Sequence, residues 1–277
     1  MRKIFVLIII PFLFLLSCSK KEPAINKIAD IKIEEQMIKS YQEGLNALEL
    51  GDAIKAAEKF SEAEIFFPQS IWAPRSALMA AYSYYIYGLY EETIYELERY
   101  FRVYPLHERK GYAYYLIALS YYEQIIDEKK DQDPILKSKK YFELLLEDYP
   151  KSEFAADANY KLDLIEDILA SKEMYLGRYY LEKEKWIPAI NRFKIVINDY
   201  GRTIYVEEAL HRLVEVHYKI GLVDESKKYA NLLGYNYQSS EWYKKTYKIF
   251  NKDYKPIKKN NKTDSSLIKK LKSIITN

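Results

Sequence analysis

The sequence predicts an all-α fold, a superhelix of about five stacked helix pairs, and three observations carry that prediction. From about Ile33 to about Phe250, apolar residues return every three or four positions, the period of helices with one buried face. No stretch sustains the period-2 alternation of a half-buried strand. Small residues, aromatics and turn residues recur at matched offsets from one helix pair to the next. Such matching marks an array whose units bury their apolar faces against their neighbours.

The pairs follow one another along the chain. In the first, Gly44 allows a close helix contact, Gly51-Asp52 makes a turn, Ala56, Phe60 and Ala63 mark one face of the next helix, and Pro68 ends it. These spacings fit the tetratricopeptide repeat. Small residues let two helices approach, the aromatic fills the space between pairs, and proline cannot continue a helix. The second pair carries Ala81, Tyr84, Gly88, Leu97 and Pro105. The third places Ala118 and Tyr121 on its first helix and Phe142 and Pro150 on its second, with a charged insertion around Gln124–Pro134. The fourth reads Gly177, Tyr180, Ala189 and Phe193, with Gly201 in place of the closing proline. The fifth is degenerate, with Val214, His217, Gly221, Ala230 and Leu233, as a terminal unit without a following neighbour is expected to be. A last helix from about Ser240 to Phe250, bearing Trp242, Tyr243 and Tyr247, is placed to cap the array. Tyr84, Tyr121 and Tyr180 fall at stacking positions and are assigned to the core.

The two ends differ from this body. Arg2 and Lys3 precede an apolar run from Ile4 to Leu16, which Ser17 and Cys18 follow. The run is shorter than the roughly 20 residues of a membrane-spanning helix and has the layout of a secretory leader. Leu15-Leu16-Ser17-Cys18 matches a bacterial lipobox, in which the cysteine becomes lipidated and heads the mature chain. Cys18 is the single cysteine in 277 residues, so no internal disulfide forms. Acyl chains on it supply a stable membrane anchor. The expected organisation is a leader over residues 1–17, a lipidated Cys18 and flexible tether over 18–32, the five-repeat array with its capping helix over 33–250, and a Lys-rich tail without fixed fold over 251–277. From Lys252 to Lys272 that tail holds eight lysines and two aspartates.

Over the whole chain 43 Lys+Arg face 40 Asp+Glu, and loss of Arg2 and Lys3 with the leader brings the mature chain close to neutral. No charge excess points to nucleic acid. Three histidines are present. His107 follows the Tyr104-Pro105 turn, while His211 and His217 fall on different faces of one helix. Neither spacing makes a zinc motif, and His217 takes the place of a core aromatic. There is no glycine-rich phosphate loop and no nucleophile elbow. The sequence is read as non-catalytic, with no cofactor and no metal site.

The candidate working surface lies on the first helix of each pair, which lines the concave side of such arrays. Register places Tyr41, Leu45 and Arg75 there, followed by Tyr82 and Tyr85. In the third pair it places Tyr112, Tyr115 and Tyr122. Tyrosine offers large amphipathic area at low entropic cost, which suits capture of an extended segment or a partner helix.

Several stretches resemble one family closely. They are the lipobox before a short tether, Ala73 to Tyr84, and Tyr141-Phe142-Glu143-Leu144 leading to Asp148-Tyr149-Pro150-Lys151-Ser152 and Ala155-Ala156-Asp157-Ala158. Glu173 then precedes Gly177-Arg178-Tyr179-Tyr180. Trp186, Asn191-Arg192-Phe193 and Asp199-Tyr200 follow, and Leu233-Gly234-Tyr235-Asn236-Tyr237 leads to Ser240-Glu241-Trp242-Tyr243. Together they resemble the BamD family of outer-membrane assembly lipoproteins, the YfiO/ComL type, in its alphaproteobacterial form. The resemblance implies an outer-membrane lipoprotein that faces the periplasm. It would join BamA and other lipoproteins in the machine that folds β-barrels into that membrane. It implies that the N-terminal repeats take unfolded barrel clients and the C-terminal repeats dock on BamA periplasmic domains. It gives Arg192 the BamA contact. Another periplasmic repeat adaptor, pilotin-like or coordinating cell division, is the alternative. The stretches at Tyr149–Ser152 and Leu233–Tyr243 favour the assembly family over it.

Overall fold

The computed structural model describes residues 24–126 and 132–251. The leader, Cys18 and the Lys-rich tail from residue 252 onward lie outside the described residues, as does the middle of the charged insertion. Eleven α-helices, and no strand, make up the described regular structure. The chain divides into two compact units, with the boundary between His107 and Glu108.

The first unit holds α1 (Ala24–Glu49), α2 (Ala53–Phe66), α3 (Ala73–Tyr87) and α4 (Tyr90–Val103). The α1 helix starts at Ala24, so the end of the segment expected to be a flexible tether is helical. No proline or glycine interrupts the chain from Ala24 to Glu43, and nothing local stops helix propagation there. Gly51 turns the chain at φ 77°, a region costly for other residues. Asp52 then caps α2, its Oδ1 accepting the Lys55 N–H at 3.1 Å. The contact between α1 and α2 requires glycine at position 44. A Cβ there would stand 2.8 Å from Phe60 Cε1, and the Phe60 ring is fully buried. A proline in the first turn opens α3, and Gly88 at φ 84° ends it.

The second unit holds α5 (Lys110–Tyr122), α6 (Asp133–Asp148), α7 (Ala155–Glu182), α8 (Trp186–Asp199), α9 (Val206–Lys219), α10 (Val223–Asn236) and α11 (Glu241–Phe250). The α7 helix, at 28 residues, is twice the length of α8, with 14. The exit from the third pair and the entry to the fourth are therefore one continuous helix. It packs against α6 and α8. Its later buried positions, Ala170 and Met174, share a core with Ala189, Phe193, Val196 and Leu213. Gly177 repeats the arrangement of Gly44, since a Cβ there would stand 2.5 Å from Phe193 Cε1.

Two pairs use serine where the first and fourth use alanine. Ser138 Oγ donates to the Ala118 carbonyl, and Ser226 Oγ to that of Val214, each at 2.9 Å. These bonds tie the second helix of a pair to the first. Of the tyrosines assigned to stacking, Tyr121 is buried, while Tyr84 and Tyr180 are half-buried. His217 is buried beside Tyr229, with Nδ1 at 2.7 Å from the Leu213 carbonyl oxygen. Ser240 caps α11 by accepting the Tyr243 N–H at 3.0 Å.

Candidate functional site

In the first unit the predicted surface residues sit on and around an aromatic cluster. The Tyr41 ring meets Phe60 at 5.1 Å and Trp72 at 5.4 Å, both edge-on. The Arg75 guanidinium lies over Trp72 at 5.4 Å. Tyr85 leans on Tyr90 at 5.8 Å, Tyr82 is half-buried, and Leu45 is exposed. Tyr41 thus serves the core of the first pair as well as its surface. Trp72 escapes sequence reasoning because it stands in the connection before α3. Ser70 Oγ accepts the N–H groups of Trp72 and Ala73 there. Pro68, Ser70 and Pro74 mark the turn locally, but no repeat position assigns Trp72 to the cluster.

In the second unit the α5 tyrosines are partly covered by the start of α7. Tyr115 stacks on Phe154 at 4.7 Å and donates its hydroxyl to Asp157 Oδ2 at 2.7 Å. Tyr112 meets the same Phe154 ring at 5.4 Å, and Lys161 Nζ lies 4.3 Å from the Tyr122 ring centre. Each of these rings is therefore partly covered by this chain. Phe154, Asp157 and Lys161 belong to another helix pair, so register alone does not bring them here.

Further along the same unit, the polar face is built from ion pairs. Arg192 on α8 donates through Nη1 to both carboxylate oxygens of Glu173 on α7, at 3.0 and 3.3 Å. Arg178 Nη1 donates to Glu208 Oε2 at 3.1 Å. Arg212 Nε takes the other Glu208 oxygen at 3.2 Å, and its Nη1 reaches Glu215 at 2.8 Å. His211 Nε2 lies 3.4 Å from Glu215, and its Nδ1 lies 2.7 Å from Thr246 Oγ1 on α11. Burial pushes the Glu215 carboxyl upward, but the hydrogen bonds from His211 and Arg212 outweigh it and hold the group down at about 2. A ladder of charges thus links α7, α9 and α11. Trp242 closes it, with Arg212 at 5.5 Å, Lys245 at 4.0 Å and the His211 ring at 5.2 Å.

A different ion pair joins the first helix pair to the second. Glu64 on α2 receives Arg99 of α4 through both Nη1 and Nη2, at 2.8 and 2.5 Å. Arg99 Nε reaches Glu96 at 2.8 Å, and the Tyr104 hydroxyl donates to Glu64 Oε1 at 2.6 Å. Burial, then the Glu64 carboxylate, raises the Tyr104 hydroxyl well above the ordinary phenol range. Sequence reasoning missed this cluster, because its members stand 35 and 40 residues apart.

Among the described residues, no group of three or more His, Cys, Asp or Glu is placed to hold a metal ion. Among them, no helix is long and apolar enough to cross a membrane. The Tyr100 hydroxyl engages His107 Nδ1 at 2.7 Å, so all three histidines have neighbours within the fold.

Comparison with known proteins agrees with this architecture. A family model described as YfiO, outer membrane lipoprotein, matches residues 33–233. The outer membrane protein assembly factor BamD of Rickettsia prowazekii (strain Madrid E) is 42% identical over 209 residues, covering 76% of this chain and 83% of its own. That of Caulobacter vibrioides (strain ATCC 19089 / CIP 103742 / CB 15) is 38% identical over 211 residues, covering 76% of this chain and 69% of its own. That of Neisseria meningitidis serogroup A (strain Z2491) is 31% identical over 216 residues, covering 74% and 81%. The chain belongs to the YfiO family of outer membrane lipoproteins, together with these BamD assembly factors.

Proposed function

We propose that this chain is an outer-membrane protein assembly factor that works as a non-catalytic scaffold. A lipid on Cys18 holds it at the periplasmic face of the outer membrane. Its repeats hold BamA periplasmic domains and unfolded barrel clients at high effective concentration, so that one array serves both. The observation that carries the assembly role is a family match over residues 33–233, which takes in all five helix pairs.

Two features of the geometry support the finer reading. Arg192 spends a single nitrogen, Nη1, on Glu173. Its Nε–Nη2 edge is the fork that meets a carboxylate with two parallel N–H···O bonds, and it is left for a carboxylate on BamA. On the client side, the half-buried rings of Tyr82 and Tyr85 offer amphipathic area on the first helix of the second pair. Tyr112, Tyr115 and Tyr122 contribute less, because Phe154, Asp157 and Lys161 already cover part of each.

The test is purification of the tagged full chain from membranes in mild detergent. A β-barrel protein with periplasmic repeats is expected to co-purify, and R192E should deplete it. A Cys18→Ala chain with an intact leader should still co-purify this partner, in reduced yield. Recovery of no barrel partner with the unsubstituted chain would sink the proposal.

A further inference from the structure

We infer that Arg178 is a second carboxylate-receiving site, built on the same plan as Arg192 and facing an acidic side chain of a partner protein. The inference rests on the docking reading for Arg192 and extends it to a residue that this reading does not use.

The argument begins with how each guanidinium spends its donors. The group is planar and offers five N–H bonds in a fixed fork. Arg99 has all three nitrogens engaged: Nη1 and Nη2 on Glu64, and Nε on Glu96. Arg212 has Nε on Glu208 and Nη1 on Glu215, with its plane over Trp242. Both have Nε engaged within the fold, so neither keeps an open Nε–Nη2 edge. Arg178 and Arg192 differ from them and match each other. Each is tethered through Nη1 alone, and each leaves its Nε–Nη2 edge without a hydrogen bond among the described residues. Neither arginine contributes to the buried polar atoms that lack a partner, so these nitrogens reach solvent. The two side chains are 36% and 35% exposed.

The tether is what makes an exposed arginine a site. A free arginine loses rotamer freedom when it binds. Arg178 is held by Glu208, a largely buried carboxylate whose other oxygen is fixed by Arg212. The fork is therefore oriented before a ligand arrives, which lowers the entropic cost of binding. The class of ligand follows from charge. Glu208 and Glu215 stand in the same ladder, so a singly charged carboxylate is favoured over a phosphate dianion.

Binding of purified BamA periplasmic domains to the full chain in detergent micelles, followed by interferometry, tests this. R178K keeps the positive charge and a bond to Glu208 but removes the fork. R192K does the same at the other site, and R212K serves as the control for an arginine already spent. Both R178K and R192K should weaken binding about tenfold, the effect of losing one charge-assisted hydrogen bond. R212K should bind as the unsubstituted chain does. Unfolding temperatures, measured in parallel, should be similar for R178K and the unsubstituted chain. If R192K weakens binding and R178K does not, the inference fails and the docking reading stands. If neither weakens it, both fail. Equal losses in R178K and R212K would assign Arg178 a structural role and overturn the inference as well.

Discussion

One carboxylate–guanidinium bond joins the first helix pair to the second, another lies within the fourth pair, and the two have opposite characters. Glu64 is 8% exposed at its side chain, grips Arg99 through two nitrogens, and takes the Tyr104 hydroxyl as well. Glu173 is 14% exposed but holds Arg192 by one nitrogen only. The residue types are the same. What differs is how many donors the fold consumes. A pair whose donors are all taken fixes helices to each other, and removing its carboxylate leaves a part-buried guanidinium short of partners. A pair with an unspent edge costs little to keep and stays available to a partner.

Four measurements can break or sharpen that contrast. Glu64→Ala takes the carboxylate from the part-buried Arg99 and the Tyr104 hydroxyl, leaves Arg99 only Glu96, and should cost about 2 kcal/mol in urea unfolding. A loss below about 1 kcal/mol would mean that the pair is not structural. Gly177→Ala forces Phe193 away from α7 and with it the spacing that brings Glu173 to Arg192. Overpacking of this kind should cost about 2 kcal/mol. The same change should weaken BamA binding even with Arg192 intact.

Acid provides the third comparison. Glu215 has a folded-state value of about 2, below the ordinary carboxyl value of 4.5. Its stabilisation is therefore present above about pH 4.5 and is lost as pH falls toward 2. The side chain is a third exposed, so about 1 kcal/mol is expected after solvent screening. Urea midpoints between pH 6 and pH 2 should show it, and Glu215→Gln should flatten that part of the profile. An unchanged slope in the variant would rule out Glu215 as its source. Arg192→Ala should have the smallest effect on stability, about 0.5 kcal/mol, as for other partly exposed pairs. A loss comparable to that of Glu64→Ala would erase the distinction between the two bonds.

Much of the fold was legible because its signals are local. Gly44 with Phe60, and Gly177 with Phe193, are paired by short offsets that any helix hairpin of this kind must keep, and both prove to be close contacts. Gly51, Gly88 and Gly221, all at positive φ, mark three of the turns inside pairs. Less of the candidate site was legible. Tyr115 finds Asp157 across 42 residues, and no periodicity in either helix encodes that contact. The length of α7 was also not legible, because the repeat pattern marks only its later part, at Gly177 and Tyr180, while the helix runs from Ala155 to Glu182.

The sequence by itself determined the helix pairs, their close-contact residues and their turns, and it identified Arg192 and the tyrosine-bearing faces as candidates. The pairs, contacts, turns and tyrosine faces rest on steric rules acting within a few turns of chain, and Arg192 rests on the family resemblance. Only tertiary structure decided which rings are already covered by this chain and which arginines keep a free edge. Both depend on where distant side chains converge and on which donors they satisfy, and a linear pattern of residues carries neither.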